Sequence, residues 1–260
     1  MKKLKNGVSV VIPTYNRPDY LTILLKSIER QTKKVDEIII VNDCSDNKDE
    51  YKQVIDSFTK LNIIYIFNEN NCGAPRCRNI GIQTANYEYL ALTDDDDEWE
   101  EKKIEKQFAA FENDKAIKLL YTWGKAVDDE GNCLYTFRGE GEGYDLKSLL
   151  KADYIPSSSV MVRTNTIKQV GGFDPTFPSC QEWDMWVRII AQGNKYGVIK
   201  EELLIYHKHS GESIGKSKKA YIGYQKFYRK HILKYFNNYF HFIKKLSLNI
   251  YCNKSKNILI

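Results

Sequence analysis

Four carboxylates stand in a row at Asp94, Asp95, Asp96 and Asp97, one residue after the largely apolar run Tyr87–Leu92. Four adjacent anions repel one another and are not buried together without cations. Their hard oxygens suit Mn2+ or Mg2+, ions that bridge protein carboxylates to phosphate oxygens. The same run also reads as a solvated helix start, where the helix dipole favours Asp. Three other polar groups follow apolar runs in the same way: Pro13-Thr14-Tyr15, Asp43 within Asn42–Asp46, and the loop Asn68–Gly73.

The elements that must position these groups are legible in the first hundred residues. The β-branched runs at 8–12, 37–41 and 63–67 and the aromatic and aliphatic run at 87–92 predict four strands. Helices are predicted over 18–31, 47–60 and 74–84; the first has Pro18 at its start and Leu21, Leu24, Leu25 and Ile28 on one face. Strands alternating with helices imply a mostly parallel, Rossmann-like α/β sheet with right-handed crossovers. Ligands in such sheets bind outside the carboxyl ends of the strands. The four polar groups fall at those ends, which predicts a binding crevice there.

The second half is less regular. A helix is predicted over 98–113, with Trp99, Ile104 and Phe108 inward, and a strand over 119–121. A hairpin turn is expected at 127–132, a strand at 159–163, a helix at 181–192, and two short strands at 196–199 and 203–207. From 220 to 242 apolar and aromatic residues recur at 221, 224, 228, 232, 235, 239 and 242, the spacing of one helical face.

Charge is divided unevenly. The whole chain of 260 residues is +5, yet residues 216–260 hold 11 Lys or Arg and no acid, which leaves 1–215 at −6. A basic, aromatic tail seeks phosphates, and the acidic body beside it disfavours nucleic acid, so an anionic membrane surface is the expected partner. No apolar run is long enough to span a bilayer, and the start lacks the small-residue cleavage site of a secretory signal. The six cysteines form no CxxC pair; the nearest two, Cys72 and Cys77, are five apart, which fits neither a zinc ribbon nor a thioredoxin motif. They are expected to be free thiols of a reducing cytosol. The first βα turn, Pro13–Arg17, has no glycine, so it lacks the GxGxxG of dinucleotide-binding enzymes, and no P-loop is present.

In order along the chain come Ser9–Pro18, Asn42–Asp46, Asn70–Asn79, Leu92–Trp99 and Gly171–Asp174 followed by Gln181–Arg188. Together these segments resemble glycosyltransferase family 2, the inverting enzymes of GT-A fold, over about residues 7–215. The resemblance implies a GT-A domain over 1–215, with a nucleotide-binding half to about 97 and an acceptor half from about 98. The helical spacing and the charge predict a basic, aromatic amphipathic helical tail over 216–260. The resemblance further implies a nucleotide-sugar donor, commonly a UDP-sugar, and a divalent cation.

The resemblance also implies roles. Pro13, Thr14, Tyr15 and Arg17 belong to the loop that holds the nucleoside, and Asp43 matches the carboxylate that reads the base edge. Gly73, Arg76 and Asn79 match the segment behind the diphosphate. There Gly73 permits close backbone approach, Arg76 suits a bidentate phosphate contact, and Arg78 reads equally as a surface cation. Asp94 and Asp96 take the acidic positions of the DxD signature, with Asp96 the direct metal ligand and Asp94 a ribose or metal contact. Asp95 fills the middle position, and Asp97 is placed to hold a sugar hydroxyl. Glu182 matches the base, which is usually Asp in the family, with Asp184 the alternative. His209 matches a histidine that completes the metal shell, while His207 stands where the family often has Arg. Ser157–Met161 resembles the segment beneath the donor sugar. The implied acceptor is a hydroxyl of a bacterial surface-glycan intermediate, polyprenyl-diphosphate-linked in one form. The resemblance implies a cytosolic active site, and the basic tail is expected to hold the chain peripherally on the inner face of the cytoplasmic membrane.

Overall fold

The computed structural model describes residues 3–208 and 218–232. The expected first half is present: β1 (Lys5–Thr14), α1 (Pro18–Glu29), β2 (Glu37–Asn42), α2 (Lys48–Ser57), β3 (Ile63–Phe67), α3 (Ala74–Thr84) and β4 (Tyr87–Leu92). β1 lies between β2 and β4 and runs parallel to both; β3 is parallel to β2. Chain order therefore reverses between β1 and β4, which makes that point the switch of the sheet.

The second half extends the same sheet. β5 (Asp97–Trp99), α4 (Lys103–Asn113), β6 (Ile117–Val127), β7 (Cys133–Phe137), α5 (Leu146–Lys151), β8 (Met161–Arg163), α6 (Thr164–Gln169), α7 (Gln181–Ile190) and β9 (Lys195–His207) follow. Among the described residues the sheet order is β3-β2-β1-β4-β8-β6-β9-β5, with β7 paired to β6. β8 is antiparallel to β4 and β6, and β9 is parallel to β6. The expected division near residue 97 falls at the start of β5, and the sheet continues across it.

Three expectations need correction. The helix expected from Glu98 begins at Lys103, because Asp97–Trp99 is a strand paired antiparallel to β9. The acidic run is therefore a link between two strands and not a helix start. The strand expected over 119–121 is the 11-residue β6. The two short strands expected near the end are one strand, β9, which keeps pairing with β6 through register shifts.

Helices cover both faces of the sheet. Leu21, Leu24, Leu25 and Ile28 of α1, Tyr51 of α2 and Ile104 and Phe111 of α4 pack on one side. Cys77 and Ile82 of α3 and Trp183, Trp186 and Val187 of α7 pack on the other. Each buried tryptophan of α7 also satisfies its N–H: Trp183 donates to the Leu149 carbonyl and Trp186 to that of Ile155. Both rings are therefore core. α3 sits close on the sheet because Gly81 faces Val11; a Cβ there would lie 2.4 Å from a Val11 methyl.

The described part of the tail packs on the body. α8 (Lys218–Phe227) buries Ala220, Gly223 and Phe227, and His231 follows on the same face. Phe227 stacks on Trp183 with ring centroids 3.7 Å apart. The buried face is thus 220, 223, 227 and 231, one residue out of phase with the expected 221, 224 and 228. Tyr221, Ile222 and Tyr224 are left exposed.

Candidate active site

The ends of β1, β2, β3 and β4 bring the predicted polar groups side by side. Thr14 pairs with Asn42, Asn42 with Phe67, and Val11 with Leu92 in the sheet register. Thr14 is buried, and its hydroxyl donates to Asp95 at 2.7 Å and meets the Tyr51 hydroxyl at 2.9 Å. Tyr51 in turn accepts the Arg17 backbone N–H. Pro13 is buried beside Thr14, whereas Tyr15 is exposed. The turn that follows is tied to α2 on the buried side and open on the other.

Asp43 builds the neighbouring loop. One carboxylate oxygen accepts the Cys72 backbone N–H at 2.8 Å and the Asn68 amide at 3.1 Å; the other accepts the Gly73 N–H at 2.7 Å. Burial works against its charge, but these donors hold its pKa below the usual value. Gly73 has φ +86°, a conformation glycine adopts without strain. Arg76 is exposed on the first turn of α3. Asn79 is turned elsewhere. Its amide donates to the Phe173 carbonyl and accepts the Phe173 N–H, so both groups serve the Gly171–Asp174 turn. That use of the side chain counts against the expected diphosphate contact.

Each member of the acidic run has its own surroundings. Asp95 points inward to Thr14, and its pKa is pushed up to about 7, first by burial and then by the charge of Asp96. Asp97 is buried and accepts from the Ser158 hydroxyl; burial and then Asp94 raise its pKa well above the usual value. Its other oxygen is buried without a hydrogen-bond partner. Asp94 and Asp96 are partly exposed. Arg17 forms an ion pair with Asp96 and reaches Asp95 at 3.5 Å.

These observations fit a divalent cation. The donors are hard oxygens, burial and then neighbouring negative charge push the two buried acids towards their neutral forms, one buried oxygen lacks a partner, and the Arg17 cation already lies against Asp96. His209, the expected histidine of that shell, lies outside the described residues. His207 faces Glu98 at 3.3 Å, and Glu98 also pairs with Arg30.

Arg78 joins the acidic run to α7. Its guanidinium is buried, with one nitrogen 2.5 Å from Asp94 and another 3.1 Å from Glu182. Gln181 accepts from the same side chain at 3.3 Å. Burial opposes its charge, and Asp94 and Glu182 overcome that cost, so its pKa is raised. Arg78 is therefore no surface cation. The available signal was periodicity: positions 78, 81, 82 and 85 share the buried face of α3, while 76 does not.

Glu182 and Asp184 point in different directions, as residues two apart on a helix must. The Glu182 side chain is 25% exposed, which leaves it open to a second reactant. That of Asp184 is 0% exposed. It accepts from Arg188 at 2.8 Å and His231 at 2.7 Å, and Lys230 lies 2.9 Å away. Asp184 is thus a structural anion that ties α7 to the tail, which corrects its place as an alternative base.

Comparison with known proteins agrees with this geometry. A family model described as Glycosyl transferase family 2 matches residues 9–165. An uncharacterised glycosyltransferase of Methanocaldococcus jannaschii is 36% identical over 204 residues, covering 76% of this chain and 70% of the relative. A glycosyl transferase assigned to colanic acid biosynthesis in Escherichia coli is 30% identical, covering 88% and 83%. Crystalline S. aureus TarS in complex with UDP-GlcNAc superposes with a TM-score of 0.68 at 23% identity. The match covers 81% of this chain and 61% of that one, so the chain spans about three fifths of the TarS fragment. The fold is that of the GT-A proteins. The chain belongs to glycosyl transferase family 2.

Proposed function

We propose that this chain is an inverting glycosyltransferase that moves one sugar from a UDP-sugar to a hydroxyl of a surface-polysaccharide intermediate. The observation that carries the reading is Arg78: one buried guanidinium binds an acid of the Asp94–Asp97 run and the partly exposed carboxylate of Glu182. The donor end and the acceptor end of a transfer site are thereby held in one network.

Thr14, Tyr15 and Asp43 line the strand ends assigned to the nucleoside. Asp94 and Asp96 would hold Mn2+ or Mg2+, which supplies charge neutralisation for the leaving diphosphate. Arg17 and Arg76, both exposed, are the cations available to the phosphate oxygens. Glu182 removes the proton of the acceptor hydroxyl as its oxygen bonds to the anomeric carbon. The bond to the nucleoside diphosphate breaks with that electron pair leaving on the phosphate oxygen, so configuration inverts. The extra methylene of Glu182, relative to the family's usual Asp, extends its reach while Arg78 fixes its position.

TarS is seen in complex with UDP-GlcNAc, and the relative from E. coli is assigned to colanic acid biosynthesis; the first supports the donor class and the second the acceptor class. Incubation with UDP-Glc, UDP-Gal, UDP-GlcNAc, UDP-GalNAc and dTDP-rhamnose, read as nucleotide release with Mn2+, tests the donor. Release from none of them would overturn the proposal.

A second part of the reading concerns location. Tyr221, Ile222 and Tyr224 are exposed on α8, next to Lys218 and Lys219. Aromatic and aliphatic side chains beside lysines suit an anionic lipid surface. We infer peripheral attachment to the inner face of the membrane, beside a polyprenyl-linked acceptor. Among the described residues no helix is long and apolar enough to cross a membrane.

A further inference from the structure

The sequence spacing of Cys72 and Cys77 excludes a zinc ribbon, yet the fold gathers them with an acid. Asp43, Cys72 and Cys77 each offer a ligand atom, and the three atoms lie within 4.8 Å of one another. The two sulfurs are 3.8 Å apart, and the Cys72 sulfur is 3.2 Å from an Asp43 oxygen. The Asn68 side-chain nitrogen lies 3.1 Å from that oxygen, 3.2 Å from the Cys72 sulfur and 3.3 Å from the Cys77 sulfur. Four ligand positions thus enclose one small volume as a distorted tetrahedron. Metal bonds of 2.0–2.3 Å in tetrahedral geometry require edges of about 3.3–3.8 Å. Five of the six edges need change by only a few tenths of an ångström, and the sixth, from the Cys77 sulfur to the Asp43 ligand oxygen, lies within 4.8 Å. A half-turn of the Asn68 amide presents its oxygen at the fourth corner.

We propose that Asp43, Cys72, Cys77 and Asn68 form a tetrahedral site for a thiophilic divalent cation of the zinc class. Two thiolates, a carboxylate and an amide oxygen are a zinc donor set and a poor one for Mg2+ or Mn2+. The site is therefore chemically distinct from the acidic run. Its outer shell is built: the Asp43 carboxylate is oriented by the Cys72 and Gly73 N–H groups. Without metal the sulfurs are thiols, since burial and then the Asp43 carboxylate raise the pKa of both Cys72 and Cys77. On binding, each thiol releases its proton to solvent and the metal takes its place, two protons per ion. The bound ion would link the ends of β2 and β3 to the first turn of α3. This inference does not rest on the proposed transfer reaction: the Asp43 oxygen given to the metal is the one facing Cys72 and Asn68, and the other, which accepts the Gly73 N–H, is the one left for a nucleobase edge.

Co2+ serves as the optical probe of the reduced full-length chain. The expected result is a near-ultraviolet sulfur-to-cobalt charge-transfer band that saturates at one ion per chain and is displaced by Zn2+. It should fall to half or less in Cys72→Ser and in Cys77→Ser, and persist in Cys44→Ser. Circular dichroism checks that each variant is folded; Cys72 is only half-buried, so that variant carries the test should Cys77→Ser unfold. Cobalt held by Asp94 and Asp96 gives no sulfur band, so failure of the acidic site is read separately. Absence of the band in the wild-type chain, or an undiminished band in Cys72→Ser, would overturn the proposal.

Discussion

Arg78 and Glu182 meet at 3.1 Å, and the same guanidinium holds Asp94 at 2.5 Å. A lysine keeps the charge but cannot span two carboxylates with a planar fork. Arg78→Lys should fold and lose about tenfold or more in turnover, because a displaced Glu182 is no longer aligned with the acceptor oxygen. Steady-state nucleotide release and a thermal melt check this. An Arg78→Lys enzyme with wild-type turnover would remove Arg78 from the mechanism.

Glu182 and Asp184 should separate cleanly. Glu182→Gln keeps shape and removes basicity; turnover should fall by about 100-fold or more, with UDP affinity little changed. Asp184→Asn removes the charge facing Arg188, Lys230 and His231, and breaking a buried ionic cluster costs about 3–5 kcal/mol. Its expected signature is a lower denaturation midpoint. If Asp184→Asn instead kept wild-type stability and lost turnover, the two roles would be exchanged.

Lys103 predicts a pH dependence of stability. Its ammonium is fully buried, 2.9 Å from Gln107 and 4.1 Å from the centre of the Trp99 ring. Burial brings its pKa down to about 7, against roughly 10.4 in an unfolded chain. Between those values the unfolded state binds more protons, so this residue makes the fold more stable as pH rises from 7 towards 10. The span is on the order of a few kcal/mol. Lys103→Met should lose that slope. Urea midpoints of both proteins at pH 7 and pH 9 measure it, and parallel slopes would contradict it.

Membrane attachment is best tested without deleting the tail, because deletion also strips Phe227 from Trp183. Full-length protein should float with phosphatidylglycerol vesicles at low salt and sink as salt screens the lysines. Tyr221→Ser with Ile222→Ser should weaken flotation and leave the melt unchanged, since both side chains are exposed. No flotation at low salt would leave packing on the body as the role of this helix.

Much of this was readable in the chain itself. The first four strands and three helices follow from β-branched, aromatic and aliphatic runs and a helical apolar period, and the polar strand ends follow from them. The strand Asp97–Trp99 escaped because three residues show no period and a run of acids mimics a helix start. Arg78 escaped because an arginine two residues from another looks exposed; its neighbours Gly81 and Ile82 on the buried face were the evidence against that. The tail register slipped by one because tyrosines outnumber the small residues that face the body. Ala220 and Gly223 allow the close approach that lets Phe227 reach Trp183. No local pattern links Asp43 to Cys77, since the ends of separate strands and helices bring them together.

The central claim is a metal-assisted UDP-sugar site at the ends of β1 and β4. Calorimetric titration of the full-length chain with UDP tests it most directly. With Mn2+ present, the account predicts saturable binding of one UDP per chain, weakened strongly by EDTA and by Asp96→Ala. No binding at millimolar UDP with Mn2+, or binding that neither EDTA nor Asp96→Ala alters, would contradict it.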